Sequence, residues 1–169
     1  MKKLAAIAAI AAFALPASAQ AQDMSPAAMQ AAVRYSLPHL LSGVRATCGS
    51  KLSADGYLAT EGDALLARFS HGSDAAWPAA KTALMQLGAK DEKGMGAMLG
   101  QMPDSALKPF VDATISTMVA TKLKAENCGD VERGLELLAP LPPENIAGLV
   151  GFVIEMAERD DKAKARKGG

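Results

Sequence analysis

Three methionines, Met95, Met98 and Met102, fall in one short glycine-rich segment, Gly94-Met-Gly-Ala-Met-Leu-Gly-Gln-Met102, and are the most distinctive chemical grouping in the chain. Thioether sulfur is a soft donor that selects Cu(I), so such a cluster in an exported protein points to Cu(I) or other soft-metal binding. Methionine is also the residue that fills irregular gaps in a core, and flexible apolar surfaces use it for binding. Gap filling is the commoner use where aromatic residues are few, as here. The sequence therefore assigns no metal and no cofactor, and it leaves Met95, Met98 and Met102 as candidate binding residues for an apolar ligand or partner.

The other reactive side chains are scattered. His39 and His71 are the only histidines, and their spacing matches no metal motif. Ser70-His71 places a hydroxyl beside an imidazole, but a nucleophile and its base are defined by spatial geometry and a third orienting group, which adjacency does not supply. A hydrolytic carboxylate pair would draw on Glu61 with Asp63 or nearby Asp55, or on Glu155 in an apolar stretch. Glu61 and Asp63 read more simply as acids in the first turn of a helix, and Glu155 has Arg159 four residues on, the spacing of a surface ion pair. A cell-envelope hydrolase using Glu61 or Glu155 thus has residues without a motif, and no catalytic residue is assigned.

Cys48 and Cys128 are the only cysteines. Neither lies in a C-x-x-C or C-x-x-C-H motif, so a redox dithiol and covalent haem lack their signature. The N-terminus supplies the compartment: Met1-Lys2-Lys3, an apolar run from Leu4 to Leu15, then Ala17-Ser-Ala19 and Ala19-Gln-Ala21 form a secretory signal. The run is shorter than the roughly 20 residues of a membrane span, so cleavage before Gln20 or Gln22 is expected, leaving no transmembrane segment. The short two-lysine signal is bacterial in style, which places the mature protein in the periplasm or outside the cell. In that oxidising setting the two cysteines are expected to join as Cys48–Cys128. On chain-entropy grounds, closing a loop of about 80 residues is worth roughly 4 to 5 kcal/mol.

Removing the signal takes two lysines from a balanced count and leaves two net negative charges. That argues against nucleic acid, whose phosphates need a basic footprint. Only six aromatic residues remain, too few for a stacking platform.

The elements that must position these residues read as helices throughout. Ser25-Pro26 opens a helix over about 26–36 with Arg34 off its apolar stripe, and Pro38 is expected to break it before a second helix that buries Leu40, Leu41, Val44 and Cys48 and ends at Gly49. Residues 50–60 read as a loop, Thr60 and Asp63 as a capping box for a short helix over 64–69, and Ser73 or Asp74 as the cap of the Trp77–Leu87 pattern with Pro78 in its first turn. The segment 94–102 is a glycine-weakened helical turn. Leu107, Phe110, Val111, Ile115, Met118, Val119 and Leu123 then give the clearest amphipathic period, a helix of about 20 residues capped by Asp104 or Ser105. Asp130 is expected to cap a helix over 131–138, and Pro140-Leu-Pro-Pro143 forces a corner. The last helix, starting at Pro142 or Pro143 with Glu144 near its N-terminus, carries the apolar run Ile146–Ile154 and is expected to be buried on more than one side, against the 107–123 helix. Beyond Glu158 the charged sequence is expected to fray. The whole reads as an all-α protein: signal 1–21, one domain 22–160 of six or seven short-to-medium helices closed by one disulfide, and a flexible tail 161–169. The function expected is an exported, non-enzymatic binding module using an apolar Met-rich groove, its partner a protein or small apolar ligand of the cell envelope.

Overall fold

The protein is described by a computed structural model over residues 25–89 and 95–167, so the signal segment and residues 90–94 lie outside the described residues. Within them the chain is all α: α1 (Pro26–Cys48), α2 (Tyr57–Thr60), α3 (Gly62–Ser70), a 3-10 turn (Ser73–Ala76) running into α4 (Trp77–Ala89), α5 (Met95–Gly100), α6 (Asp104–Lys122), a second 3-10 turn (Ala125–Asn127), α7 (Cys128–Leu138) and α8 (Pro143–Lys167). The Cys48–Cys128 disulfide ties the end of α1 to the start of α7 with a Cα–Cα distance of 5.5 Å, and both cysteines are buried.

α1 is the axis. Ser25 Oγ accepts the backbone N–H of Ala28 at 3.1 Å, and Pro26 takes the first helical position, so the helix starts where the sequence indicates. It does not stop at Pro38, as expected, but continues unbroken to Cys48 with Pro38 inside. The proline removes one backbone hydrogen bond and crowds the preceding turn, a cost of about 3 kcal/mol. Burial on both sides of it, by Tyr35, Leu37, Leu41 and Val44, outweighs that. Gly49 follows the helix as expected, but in right-handed conformation, donating its N–H to the Arg45 carbonyl.

Two apolar clusters sit on α1. One gathers Leu37, Leu41, Val44 and Cys48 with Leu58, Leu65, Phe69, Cys128 and Ile146. The other surrounds Tyr35 with Trp77, Ala80, Leu99 and Leu107. α3, α4, α6 and α8 all pack directly on α1. The closest approach is at Gly43, where a Cβ would lie 2.6 Å from the Ser116 carbonyl oxygen and 2.8 Å from Val119 Cβ, so only glycine lets α6 come this near.

Several local expectations are corrected. Thr60 does not cap α3; its hydroxyl donates back to the Gly56 carbonyl, within the extra turn α2 that forms in the expected loop. The first turn of α2 is held from outside, by Glu132 Oε1 of α7 accepting the Leu58 N–H at 2.9 Å. Ser73 bonds back to the Ser70 carbonyl instead of capping α4. Pro103, not Asp104, precedes α6, because the Asp104 carboxylate turns away to Trp77 and Lys81. α7 begins at Cys128, ahead of Asp130, and α8 stays helical through Lys167.

The largest correction concerns α8. Ile146 and Ala147 are buried, but Leu149, Val150, Phe152, Val153 and Met156 face solvent. The helix packs on α1, not on α6, and α6 itself buries only Leu107 fully while Phe110 and Met118 are exposed. With α1 occupying the centre, α6 and α8 pack chiefly on α1 and each keeps a free side.

Candidate functional site

The richest polar cluster lies in the seam between α1 and α6, where one turn of α1 presents Tyr35 and His39 to Asp112, Lys108 and Ser116. The Tyr35 hydroxyl donates to Asp112 Oδ1, and His39 Nε2 lies 3.1 Å from the same oxygen. Lys108 Nζ is 3.0 Å from Asp74 Oδ1 and 5.4 Å above the Tyr35 ring, a cation–π arrangement. Trp77 packs at a tilt against Tyr35, with ring centroids 5.0 Å apart. Ser116 Oγ donates to the His39 carbonyl at 3.1 Å.

The electrostatics follow from burial. Tyr35 is 1% exposed, and desolvation together with its bond to Asp112 pushes its hydroxyl far above the ordinary range, fixing it as a proton donor. Desolvation also lowers the His39 pKa, reinforced by Lys108 and opposed by Asp112 and Asp74. His39 is therefore neutral at neutral pH, and since Asp112 only accepts, its proton sits on Nε2. A tyrosine, a carboxylate, a histidine and a lysine together are a set that could move protons. Here each is occupied by another member, and none of the cavities described below is lined by them. The cluster is a clamp between helices.

Arg34 is a second buried polar element. Its guanidinium donates to the Phe69 carbonyl at 2.7 Å, to the His71 carbonyl, and to Glu144 Oε1 at 3.0 Å, joining α1 to the end of α3 and the start of α8. Three of its five N–H donors are used and Glu144 offsets its charge, so the cavity of about 260 Å³ beside it, lined by Gln30, Ala31, Arg34, Ala76 and Glu144, offers an anion a cation that is already paired. Neither cluster was visible in the sequence. Arg34 falls off the apolar stripe of its helix, and Asp112, which Tyr35 and His39 share, is more than 70 residues away from both along the chain.

The residues singled out by the sequence are dispersed. Met98 is exposed on α5, and Met102 packs beside the Tyr35 and Leu107 cluster together with Met85; nothing is described of the Met95 side chain. Met118 and Met156 are exposed on α6 and α8. Ser70 and His71 both point outward at the end of α3. Glu61 is exposed at the start of α3, Asp63 pairs with Arg45 at 2.7 Å, and Glu155 pairs with Arg159 four residues on, as the spacing indicates. Among the described residues no group of three or more His, Cys, Asp or Glu side chains could hold a metal ion.

What the surface does present is a shallow apolar face along the outer side of α6, whose open space of about 470 Å³ is lined by side chains of that one helix. Phe110 and Met118 are its large side chains, and Ala113, Thr114, Thr117 and Thr121 lie beside them. Thr114 and Thr121 turn their hydroxyls back onto the carbonyls of Phe110 and Met118, which leaves their methyl groups to face outward. Such a face, with two large apolar side chains among small ones, can receive an apolar group but offers no catalytic one. No helix among the described residues is long and apolar enough to cross a membrane by itself; α7 and α8, bent by 120°, would pass only as a broken pair. Comparison of the chain with protein-family models, with curated proteins and with solved structures finds no match.

Proposed function

We propose that the protein is a non-enzymatic binding module of the bacterial cell envelope, exported by its N-terminal signal, that receives an apolar ligand or a partner's apolar side chains on the outer face of α6. One observation carries this reading. Phe110 and Met118 are 50% and 52% exposed on this α6 face, although both belong to the amphipathic period that normally marks a core face. The Cys48–Cys128 disulfide supports export, since such bonds persist in oxidising compartments. Met98, exposed on α5, is a further apolar side chain available to a partner.

The test is a fluorescence titration of the purified protein with N-phenyl-1-naphthylamine, an uncharged apolar probe. Phe110→Glu is expected to weaken binding by about tenfold, the equivalent of losing one buried apolar side chain. Met98→Glu is expected to have a smaller effect. Equal affinity in the Phe110→Glu variant and the unaltered protein would overturn the assignment to α6.

A further inference from the structure

Tyr57–Thr60 forms a helix of a single turn, α2, and one turn does not hold itself, because nucleation fixes several residues for one hydrogen bond. Gly56 at its N-cap has no side chain with which to cap it. The hold comes from α7, where Glu132 Oε1 accepts the Leu58 N–H at 2.9 Å. Cys128 and Glu132 stand at i and i+4 and so share one face of α7, which means that the disulfide fixing Cys128 to the end of α1 also aims Glu132 at α2. Room for the carboxylate comes from Gly56, at which a Cβ would lie 2.7 Å from Glu132 Oε1. The Gly56 backbone, at φ −69° and ψ 167°, suits any residue, so it is this approach that calls for glycine.

Between α2 and the last turn of α1 lies a cleft of about 420 Å³. Ala46 and Gly49 line it from α1, Leu52 and Ser53 from the connection, and Leu58 and Ala59 from α2. Three chain segments thus contribute, whereas the α6 face belongs to one helix. The volume falls within the roughly 300–1,000 Å³ of small-molecule sites. Leu58, 5% exposed, and the half-buried Leu52 supply its larger apolar side chains. The one ionic group of the lining, Arg45, is met by Asp63 at 2.7 Å, and the Ser53 hydroxyl donates to Asp55. An occupant therefore finds apolar contacts and no unmatched charge.

We propose that this cleft is a binding site for a small uncharged molecule with an apolar body, and that Glu132 is the positioning residue that latches α2 at its edge. Because α2 supplies Leu58 and Ala59, the site keeps its shape only while Glu132 holds the turn. The cleft shares no residue with the α6 face and does not depend on that face binding anything.

Indole is the probe, followed through the backbone amide NMR signals of the purified protein. Saturable shifts are expected at Gly49, Leu58 and Ala59. Ala59→Phe and Ala46→Phe, both at exposed positions, should fill the cleft and remove the saturation, and should one of them fail to fold, the other carries the reading. Phe110→Glu should leave indole binding at the cleft unchanged. In Glu132→Ala the Leu58 amide should exchange with solvent about tenfold faster or more, as for the loss of a hydrogen bond to a charged acceptor, and indole affinity should fall with it. Glu132→Gln, which keeps an acceptor oxygen, should restore most of both, whereas Gly56→Ala should reproduce Glu132→Ala. Shifts that do not saturate or that centre on Phe110 and Met118, or saturation that survives both phenylalanine variants, would overturn the site. Equal Leu58 exchange and equal indole affinity in Glu132→Ala and the unaltered protein would overturn the latch.

Discussion

α1 and α8 are the two longest helices among the described residues, and their sequences suggest opposite fates from those they meet. α1 has a proline in its middle and an arginine on one side, yet it is the most enclosed element, with Arg34, Tyr35, Pro38, Leu41 and Cys48 all buried. α8 carries an almost unbroken apolar run from Ile146 to Ile154, yet most of its large side chains face solvent. The difference lies in neighbours. α1 is covered by α3, α4, α6 and α8, whereas the contacts of α8 run chiefly to α1 alone. Apolar content sets what a helix can gain from burial; the number of partners sets how much of that gain is realised.

The contrast breaks most readily at Arg34. If α1 is held from all sides by its own polar anchor, Arg34→Met should cost about 3 kcal/mol, because the Phe69 and His71 carbonyls lose a charged donor in a buried place. Chemical denaturation checks this, and a loss no greater than that of an exposed-site substitution would remove the anchor. Glu144 contributes little to the expected cost, since its exposed carboxylate is resolvated when the arginine is lost.

A smaller effect sharpens the picture at the other side of α1. His39 faces Asp112 and Lys108 of α6, Asp74 of the first 3-10 turn, and Tyr35 of its own helix. Burial holds its folded-state pKa below 6.5, so as the pH falls the unfolded chain takes up this proton first. The stabilisation is complete above that value and is lost as pH drops through the folded-state pKa. Thermal midpoints measured between about pH 7.5 and pH 5.5, the range in which histidine titrates, should decline with acidity. In His39→Gln the decline should be shallower. An equal slope in the two proteins would show that the seam does not sense this proton.

The parts of the fold that were legible in the sequence are those governed by local rules. Ser25-Pro26, the extent of α6, the corner at residues 140–143 and the Glu155–Arg159 pair follow from spacing and residue type alone. The disulfide was legible because the sequence reads as that of an exported chain and two cysteines leave one pairing. What escaped is set by tertiary neighbours. Pro38 lies inside a helix because the surrounding burial exceeds its local cost. Arg34 is buried because three acceptors from α3, the turn after it and α8 converge on it. Thr60 gives up its capping role because Glu132, 74 residues away from the amide it accepts, holds the adjoining turn. The candidate site was legible only in part: the period of α6 was plain, but which of its apolar residues the core would leave out depends on Gly43 and on where α1 runs.

The central claim, that α1 is the enclosed axis and α8 a one-sided cover, is tested most directly by the same substitution in both helices. Leu41 of α1 is 1% exposed and Leu149 of α8 is 49% exposed. Denaturant unfolding should show Leu41→Ala losing about 3 kcal/mol and Leu149→Ala less than about 1 kcal/mol. Equal losses at the two positions would contradict the account.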